Sequence, residues 1–115
     1  MIQTKRVYDQ IEKSGGFRIL VDRLWPRGLT KERAQVDLWM KEIAPSDALR
    51  KSFHASEDWN AFERRYRKEL ASKKDLLAEI KKLEKQHKKV TLLFARKDEK
   101  QNQAIILAQI LKGKK

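Results

Sequence analysis

The sequence predicts one layered α/β domain over residues 1–115, with a small, mostly parallel sheet of about three strands flanked by helices. Two short segments near the N-terminus, residues 2–8 and 17–22, carry the β-branched and alternating apolar residues of strands. Residues 90–95 form a continuous apolar run bounded by charges, which is typical of a strand buried on both faces. Helical apolar spacing in the segments around these strands completes the α/β pattern.

Composition limits the classes of function. The chain has 115 residues, 40% of them hydrophobic and 38% charged, which suffices for one core beneath a very ionic surface. It contains no cysteine, so disulfides, thiolate zinc sites and cysteine nucleophiles are excluded. No apolar run approaches the roughly 20 residues of a bilayer span, and the N-terminus lacks a signal-like apolar region. We therefore expect no membrane association and a cytoplasmic location.

The net charge of +12 is unevenly distributed. Residues 1–57 carry +3 and residues 58–115 carry +9. A basic field of this kind attracts nucleic acids, nucleotides and other anions without selecting among them. A merely solvated surface explains the charge equally well.

The first half contains short elements between the predicted strands. The turn Ser14-Gly15-Gly16 precedes the second strand, and the connection is shorter than a usual parallel crossover, so the relative direction of the two strands stays open. Thr30 is positioned to cap a short helix over residues 31–35, and residues 38–43 suggest a further helical segment ending before Pro45. Ser46 then caps a helix through residue 52.

The second half contains longer helices. Residues 56–58 open a helix whose apolar stripe consists of Trp59, Phe62, Tyr66 and Leu70. The sequence of residues 72–75 resembles a capping box for the next helix, and Asp98 is positioned to cap the final helix, which reaches residue 111 before a short tail. We interpret Trp39 and Trp59 as core residues of helical stripes.

Two loops follow strands and are the candidate site. Ligands of open α/β sheets bind beyond the carboxyl ends of the strands. Residues 22–28, Asp-Arg-Leu-Trp-Pro-Arg-Gly, and residues 96–98, Arg-Lys-Asp, reach the same edge if their strands are parallel. Arg23 and Arg27 then offer guanidinium forks to a phosphate or carboxylate. Asp22 suits a general base or a partner that orients an arginine, and Asp98 suits the same role or, preferably, a helix cap.

Other side chains have alternative interpretations. Trp25 is suited either to stacking on a base or sugar or, preferably, to packing the loop against the core. A cis Trp25–Pro26 bond is an open alternative to trans. His54, beside Phe53 between two helices, is a candidate proton-transfer group, whereas His87 lies among lysines and is interpreted as solvated. Neither histidine has a partner at metal-binding spacing, so we expect no metal and no cofactor.

The segments 21–28, 39–46, 64–66 and 91–98 together resemble the YeaO-like family of small bacterial proteins, a family of unknown function, across essentially the whole chain. The resemblance implies an α/β fold and a bacterial cytosolic setting, but no activity. The family's second loop reads Lys-Asp, two residues, then His-Asn, which corresponds here to Lys97, Asp98, Gln101 and Asn102. With glutamine at position 101, this chain lacks any acid or base that the histidine supplies in relatives, although glutamine can still make hydrogen bonds.

Two main hypotheses follow, and neither requires an enzyme. The first is binding of an anionic, phosphate-bearing small molecule or nucleotide, with hydrolase or transferase activity left open, at Arg23, Trp25, Arg27, Arg96, Lys97 and Asn102. The alternative is a nucleic-acid-binding accessory protein that uses Arg64, Arg65, Arg67 and Lys68 on phosphates. An acidic protein partner is a third possibility without a discriminating residue, and the oligomeric state is not predicted.

Overall fold

The computed structural model describes residues 1–11 and 16–113, and it shows an α/β fold with a four-stranded sheet. All the strand pairs are parallel, and the strand order is β1-β4-β2-β3. The strands are β1 (Ile2–Arg6), β2 (Phe17–Leu20), β3 (Leu38–Trp39) and β4 (Val90–Phe94). The helices are α1 (Lys31–Ala34), a 3-10 helix (Lys41–Ile43), α2 (Asp47–Ser56), α3 (Trp59–Ala71), α4 (Lys74–His87) and α5 (Gln103–Leu111). The predicted fold class is confirmed, with one strand more than expected.

The additional strand is β3, where the sequence suggested a helix. Leu38 packs against one face of the sheet and Trp39 against the other, which is the alternation of a strand. The Met40 amide continues the pairing by donating to the Leu20 carbonyl at 3.0 Å. Only residues 41–43 are helical, so the helix predicted over 38–43 is wrong for its first half, and Trp39 belongs to a strand.

β1 and β2 are parallel, and β4 lies between them. A strand of five residues spans about 17 Å, and ten extended residues reach about twice as far, so a connection of ten residues is long enough for a parallel return. Ser14 and Gly15 of the predicted turn, and Lys114 and Lys115 of the predicted tail, lie outside the described residues.

The core lies on both faces of β4, whose five residues are all buried. On one face, Val90, Leu92 and Phe94 belong to the main cluster with the apolar sides of α2 to α5. On the other, Leu93 belongs to a smaller cluster covered by residues of the segment between β2 and β3. The prediction of a strand buried on both faces is confirmed.

The helix caps agree only partly with the predictions. Thr30 and Ser46 each accept a hydrogen bond from a backbone amide in the first turn of the following helix, as predicted. The helix predicted to open at Ser56 begins instead at Trp59, with Asp58 as its cap, and Ser56 ends α2. The predicted capping box at Ser72 is wrong, because the Ser72 hydroxyl donates instead to the Glu69 carbonyl at 2.8 Å, at the end of α3. No helix in the described ranges is long and apolar enough to cross a membrane.

Gly16 enters β2 in the left-handed region, at φ +67°. A Cβ there would overlap the backbone carbonyl of Lys89, whereas a Cβ at Gly28, which has φ +83°, would have no neighbour within 4 Å. We expect Gly28→Ala to lower the free energy of unfolding by about 1 kcal/mol through backbone strain alone. Gly16→Ala should cost at least about 1 kcal/mol more, because the backbone of Lys89 must also move. Urea unfolding of both variants tests this, and equal losses would contradict the close approach.

Candidate functional site

A cavity of about 390 Å³ opens at the edge of the sheet where the parallel strands end. It is lined by both predicted loops and by the first residues of α5. Of the residues predicted for the site, it brings together Asp22, Arg23, Trp25, Arg27, Arg96 and Asn102. Lys97, Asp98 and His54 do not line it. The loops after β2 and β4 therefore line the same cavity, as expected if their strands are parallel.

Asp22 lies on the floor of this cavity, immediately beyond β2. One carboxylate oxygen accepts the Ala95 amide hydrogen at 2.8 Å, and the other accepts a hydrogen bond from the Gln103 side-chain amide. Burial raises the pKa of Asp22 from 3.8 to about 6, although these two hydrogen bonds lower it in part. At neutral pH the carboxylate is therefore mostly ionised, at a cost to folding.

The Arg23 guanidinium donates hydrogen bonds to backbone carbonyls of the protein. Its Nε donates to the Pro45 carbonyl at 3.1 Å, and one Nη donates to the Ala44 carbonyl at 3.2 Å. These bonds attach the loop after β2 to the segment before α2, which forms a wall of the cavity. Arg23 therefore holds the loop after β2 against this wall with two of its five N–H groups, and its predicted pairing with Arg27 around one anion stays a prediction.

Arg27 and Arg96 are the exposed arginines on the two loops. Within the described part of the chain, neither guanidinium donates a hydrogen bond to another residue. The backbone of Arg27 is fixed, because its carbonyl accepts the Tyr8 hydroxyl at 2.8 Å. The Arg96 guanidinium lies over the Phe53 ring, 4.7 Å from its centroid. Both groups therefore retain their hydrogen-bonding capacity for a ligand.

Trp25 has a packing role, as preferred from the sequence. Its indole N–H donates to the Leu29 carbonyl at 2.7 Å, and its ring meets the edge of Trp39 at a centroid distance of 5.5 Å. The Trp25–Pro26 bond is trans. Trp25 still lines the cavity, so it forms a wall there while being held by Leu29 and Trp39.

Asp98 does not cap α5, which corrects the preferred interpretation. Its carboxylate accepts the amides of Lys100 and Gln101, both at 2.9 Å, and these bonds lower the pKa of this fully exposed group. The cap is Asn102, whose side-chain oxygen accepts the Ile105 amide at 3.1 Å. The Asn102 nitrogen donates to the Asp98 carbonyl, so this buried amide already has partners at both ends.

His54 and the cations of α3 lie outside the cavity. His54 is exposed within α2, not between two helices, and lies outside the cavity. Arg67 donates to Glu63 at 3.1 Å and to Gln109 at 2.7 Å, and Arg65 donates to Ser52 at 3.1 Å. Arg64 and Lys68 are exposed. Half of the predicted nucleic-acid cations are therefore already bound to protein side chains.

Several lining residues were missed by sequence reasoning, namely Tyr8, Arg50, Phe53, Phe62 and Gln103. Tyr8 follows β1, and its place at this edge depends on β1 being parallel to β2 and β4, which the sequence left open. Phe62 was assigned to a helix and Phe53 to the connection between two helices, and neither was assigned to a cavity; the helix after Ser46 in fact runs to Ser56 and includes Phe53. Gln103 follows directly after the Gln101-Asn102 motif, and that adjacency was the available signal.

The raised pKa of Asp22 predicts a pH-dependent stability. The folded protein binds the Asp22 proton more tightly than the unfolded chain does. The stability that protonated Asp22 contributes is therefore fully present below about pH 4 and is lost as the pH rises through about 6. Asp22→Asn should therefore increase the free energy of unfolding by up to about 3 kcal/mol at pH 7.5, and by little at about pH 4. Asparagine can keep the contacts with Ala95 and Gln103 if the Gln103 side-chain amide flips, so that its oxygen accepts a hydrogen bond from the new amide nitrogen. An equal difference between the proteins at both pH values in urea unfolding would contradict the burial of a charge.

Comparison with known proteins shows the family to which the chain belongs. The model of a family described as the inactive DUF488-N3 subclade matches residues 1–115. The chain is 48% identical over 116 residues to the uncharacterized protein YeaO of Escherichia coli K12, covering 97% of each chain. It is 38% identical over 114 residues to the uncharacterized protein Rv3073c of Mycobacterium tuberculosis H37Rv, covering 98% of this chain and 95% of the relative. No solved structure matches the chain significantly. This protein therefore belongs to the inactive DUF488-N3 subclade, with YeaO among its relatives.

Proposed function

We propose that this protein binds a phosphate-bearing small molecule or nucleotide at the carboxyl edge of its sheet and does not transform it. The observation that carries the proposal is the pair Arg27 and Arg96, which come from the loops after the neighbouring strands β2 and β4 and line one cavity. The cavity of about 390 Å³ is within the usual range for small-ligand pockets.

The surroundings of the two guanidinium groups favour an oxyanion. The Arg96 guanidinium lies over the Phe53 ring, 4.7 Å from its centroid, and this cation–π contact uses none of its N–H groups. Guanidinium N–H groups match the oxygens of a phosphate or carboxylate in pairs. The hydrogen bond from the Tyr8 hydroxyl to the Arg27 carbonyl limits the motion of the loop after β2, so less ordering is required when a ligand binds.

Catalysis has little support from the residues around the cavity. Its described lining contains no serine, threonine, histidine or cysteine, and Asp22 is the one carboxylate there. Gln101, which occupies the position of the family histidine, is exposed and does not line the cavity. The description of the matching subclade as inactive agrees with a binding role.

Nucleic-acid binding is the weaker alternative. The favourable observation is a run of exposed lysines on and after α4, formed by Lys74, Lys81, Lys82, Lys85 and Lys88. Glu79 and Glu84 lie on the same helix, and Glu84 forms an ion pair with Lys81 at 3.6 Å. The positive charge of this surface is thus partly compensated within the protein.

Calorimetric titration with AMP, GMP, CMP and UMP tests the proposal. We expect Arg27→Ala and Arg96→Ala each to weaken the binding of whichever nucleotides bind by about tenfold or more, because each removes a charge-assisted hydrogen bond. Arg27→Lys should recover only part of the loss, since it keeps the charge without the fork. Arg64→Ala is the matched control, because it removes the same charge from an exposed position on α3.

Two results would contradict the proposal. The first is that none of the four nucleotides binds measurably to the wild-type protein. The second is an Arg64→Ala loss as large as those of Arg27→Ala and Arg96→Ala, which would indicate diffuse attraction by the basic surface. Strong, steeply salt-dependent binding of single-stranded RNA or duplex DNA together with the second result would favour the nucleic-acid alternative.

A further inference from the structure

The acidic floor of the cavity restricts the kind of anion that fits there. Asp22 carries a mostly ionised carboxylate at neutral pH, in the same cavity as the two exposed arginines. A bare phosphate entering deeply would meet that charge. A ligand with a hydrogen-bond donor at one end and a phosphate at the other would complement both ends of the cavity.

We infer that the ligand is a guanine nucleotide whose base donates to the Asp22 carboxylate and whose phosphate binds Arg27 and Arg96. The inference rests on the proposed function and names the class of nucleotide. It depends on the hydrogen bonds of Asp22, on the apolar residues that line the same cavity and on the exposure of the two arginines.

The Asp22 carboxylate is an oriented acceptor with unused capacity. The Ala95 amide holds one oxygen and the Gln103 side chain holds the other, so the plane of the carboxylate is fixed. Each oxygen of an ionised carboxylate has two acceptor positions. Because the described protein donors use one position on each oxygen, a further position on each has no described protein donor. A ligand with two adjacent donors would use both.

Guanine is the standard base with that pattern. Its ring N1–H and its exocyclic N2 amino group are neighbouring donors on one edge, and they pair with both oxygens of a carboxylate. Adenine and cytosine place an acceptor nitrogen beside their amino group, and uracil places its N–H between two carbonyls. Each of these edges would bring an acceptor towards one Asp22 oxygen.

The walls of the cavity suit a flat, apolar ring. Phe53, Phe62, Pro26 and Trp25 line it, and Leu24 at the surface is 61% exposed despite its size. Phe53 also carries the stacked Arg96. Burial of a purine ring against these side chains would supply affinity, and Asp22 would supply the choice of base.

Titration of GMP, IMP, AMP and xanthosine monophosphate into the wild-type protein and Asp22→Asn tests the inference. The wild-type protein should bind GMP at least about tenfold more tightly than AMP, with IMP between them because it lacks the exocyclic amino donor. Asp22→Asn should lose the preference for GMP and bind xanthosine monophosphate more tightly than the wild-type protein does, because the C2 carbonyl of xanthine accepts a hydrogen bond from the new amide. This gain cannot arise from a merely unfolded variant.

The outcomes separate the inference from the proposed function. If the four nucleotides bind the wild-type protein equally and Arg27→Ala weakens all of them, the guanine inference is overturned while anion binding at this site stands. Tighter binding of AMP than of GMP, or an unchanged base preference in Asp22→Asn, also overturns it. If no nucleotide binds, both the inference and the proposed function fail.

Discussion

The carboxylate of Asp22 connects the parts of the fold that meet at the carboxyl edge of the sheet. It accepts the Ala95 amide beyond β4 and the side chain of Gln103 in the first turn of α5, while the Asp22 carbonyl accepts the Trp39 indole from β3 at 2.7 Å. One residue after β2 thereby orients both neighbouring strands and a helix. Keeping this carboxylate ionised in a partly desolvated position costs stability, as its raised pKa shows, and such a cost is typical of functional sites.

The opposite wall of the cavity is held by a second set of polar bonds, around the segment between the 3-10 helix and α2. Arg23 donates to the carbonyls of Ala44 and Pro45, and the buried Tyr66 hydroxyl donates to the Ile43 carbonyl at 2.7 Å. The Glu69 carboxylate accepts both the amide and the hydroxyl of Ser46. Because α3 supplies Tyr66 and Glu69, the helix that forms much of the core also fixes the wall, and the cavity is built before any ligand arrives.

The parts of this fold with strong local patterns were predictable from the sequence. The buried strand β4 and the caps Thr30 and Ser46 follow from apolar runs and short-range hydrogen bonding. The two strand-end loops meet because β2 and β4 are parallel, the condition on which that expectation depended. The two-residue strand β3 was missed because its identity depends on pairing with β2, which no local pattern shows. Asp98 and Asn102 both have the chemistry of a cap, and tertiary placement selected Asn102. The roles of Arg23 and Arg96 were equally hidden, since only the fold shows which guanidinium meets backbone carbonyls and which stays exposed.

The central claim is that Asp22 and the two exposed arginines share one ligand-binding cavity. A carboxyl-carbon NMR titration of Asp22, with and without saturating GMP, tests it most directly. The account predicts a pKa of about 6 in the free protein and a clear change in that pKa when the nucleotide is bound. A pKa near the ordinary value of 3.8, or one that saturating nucleotide leaves unchanged, would contradict it.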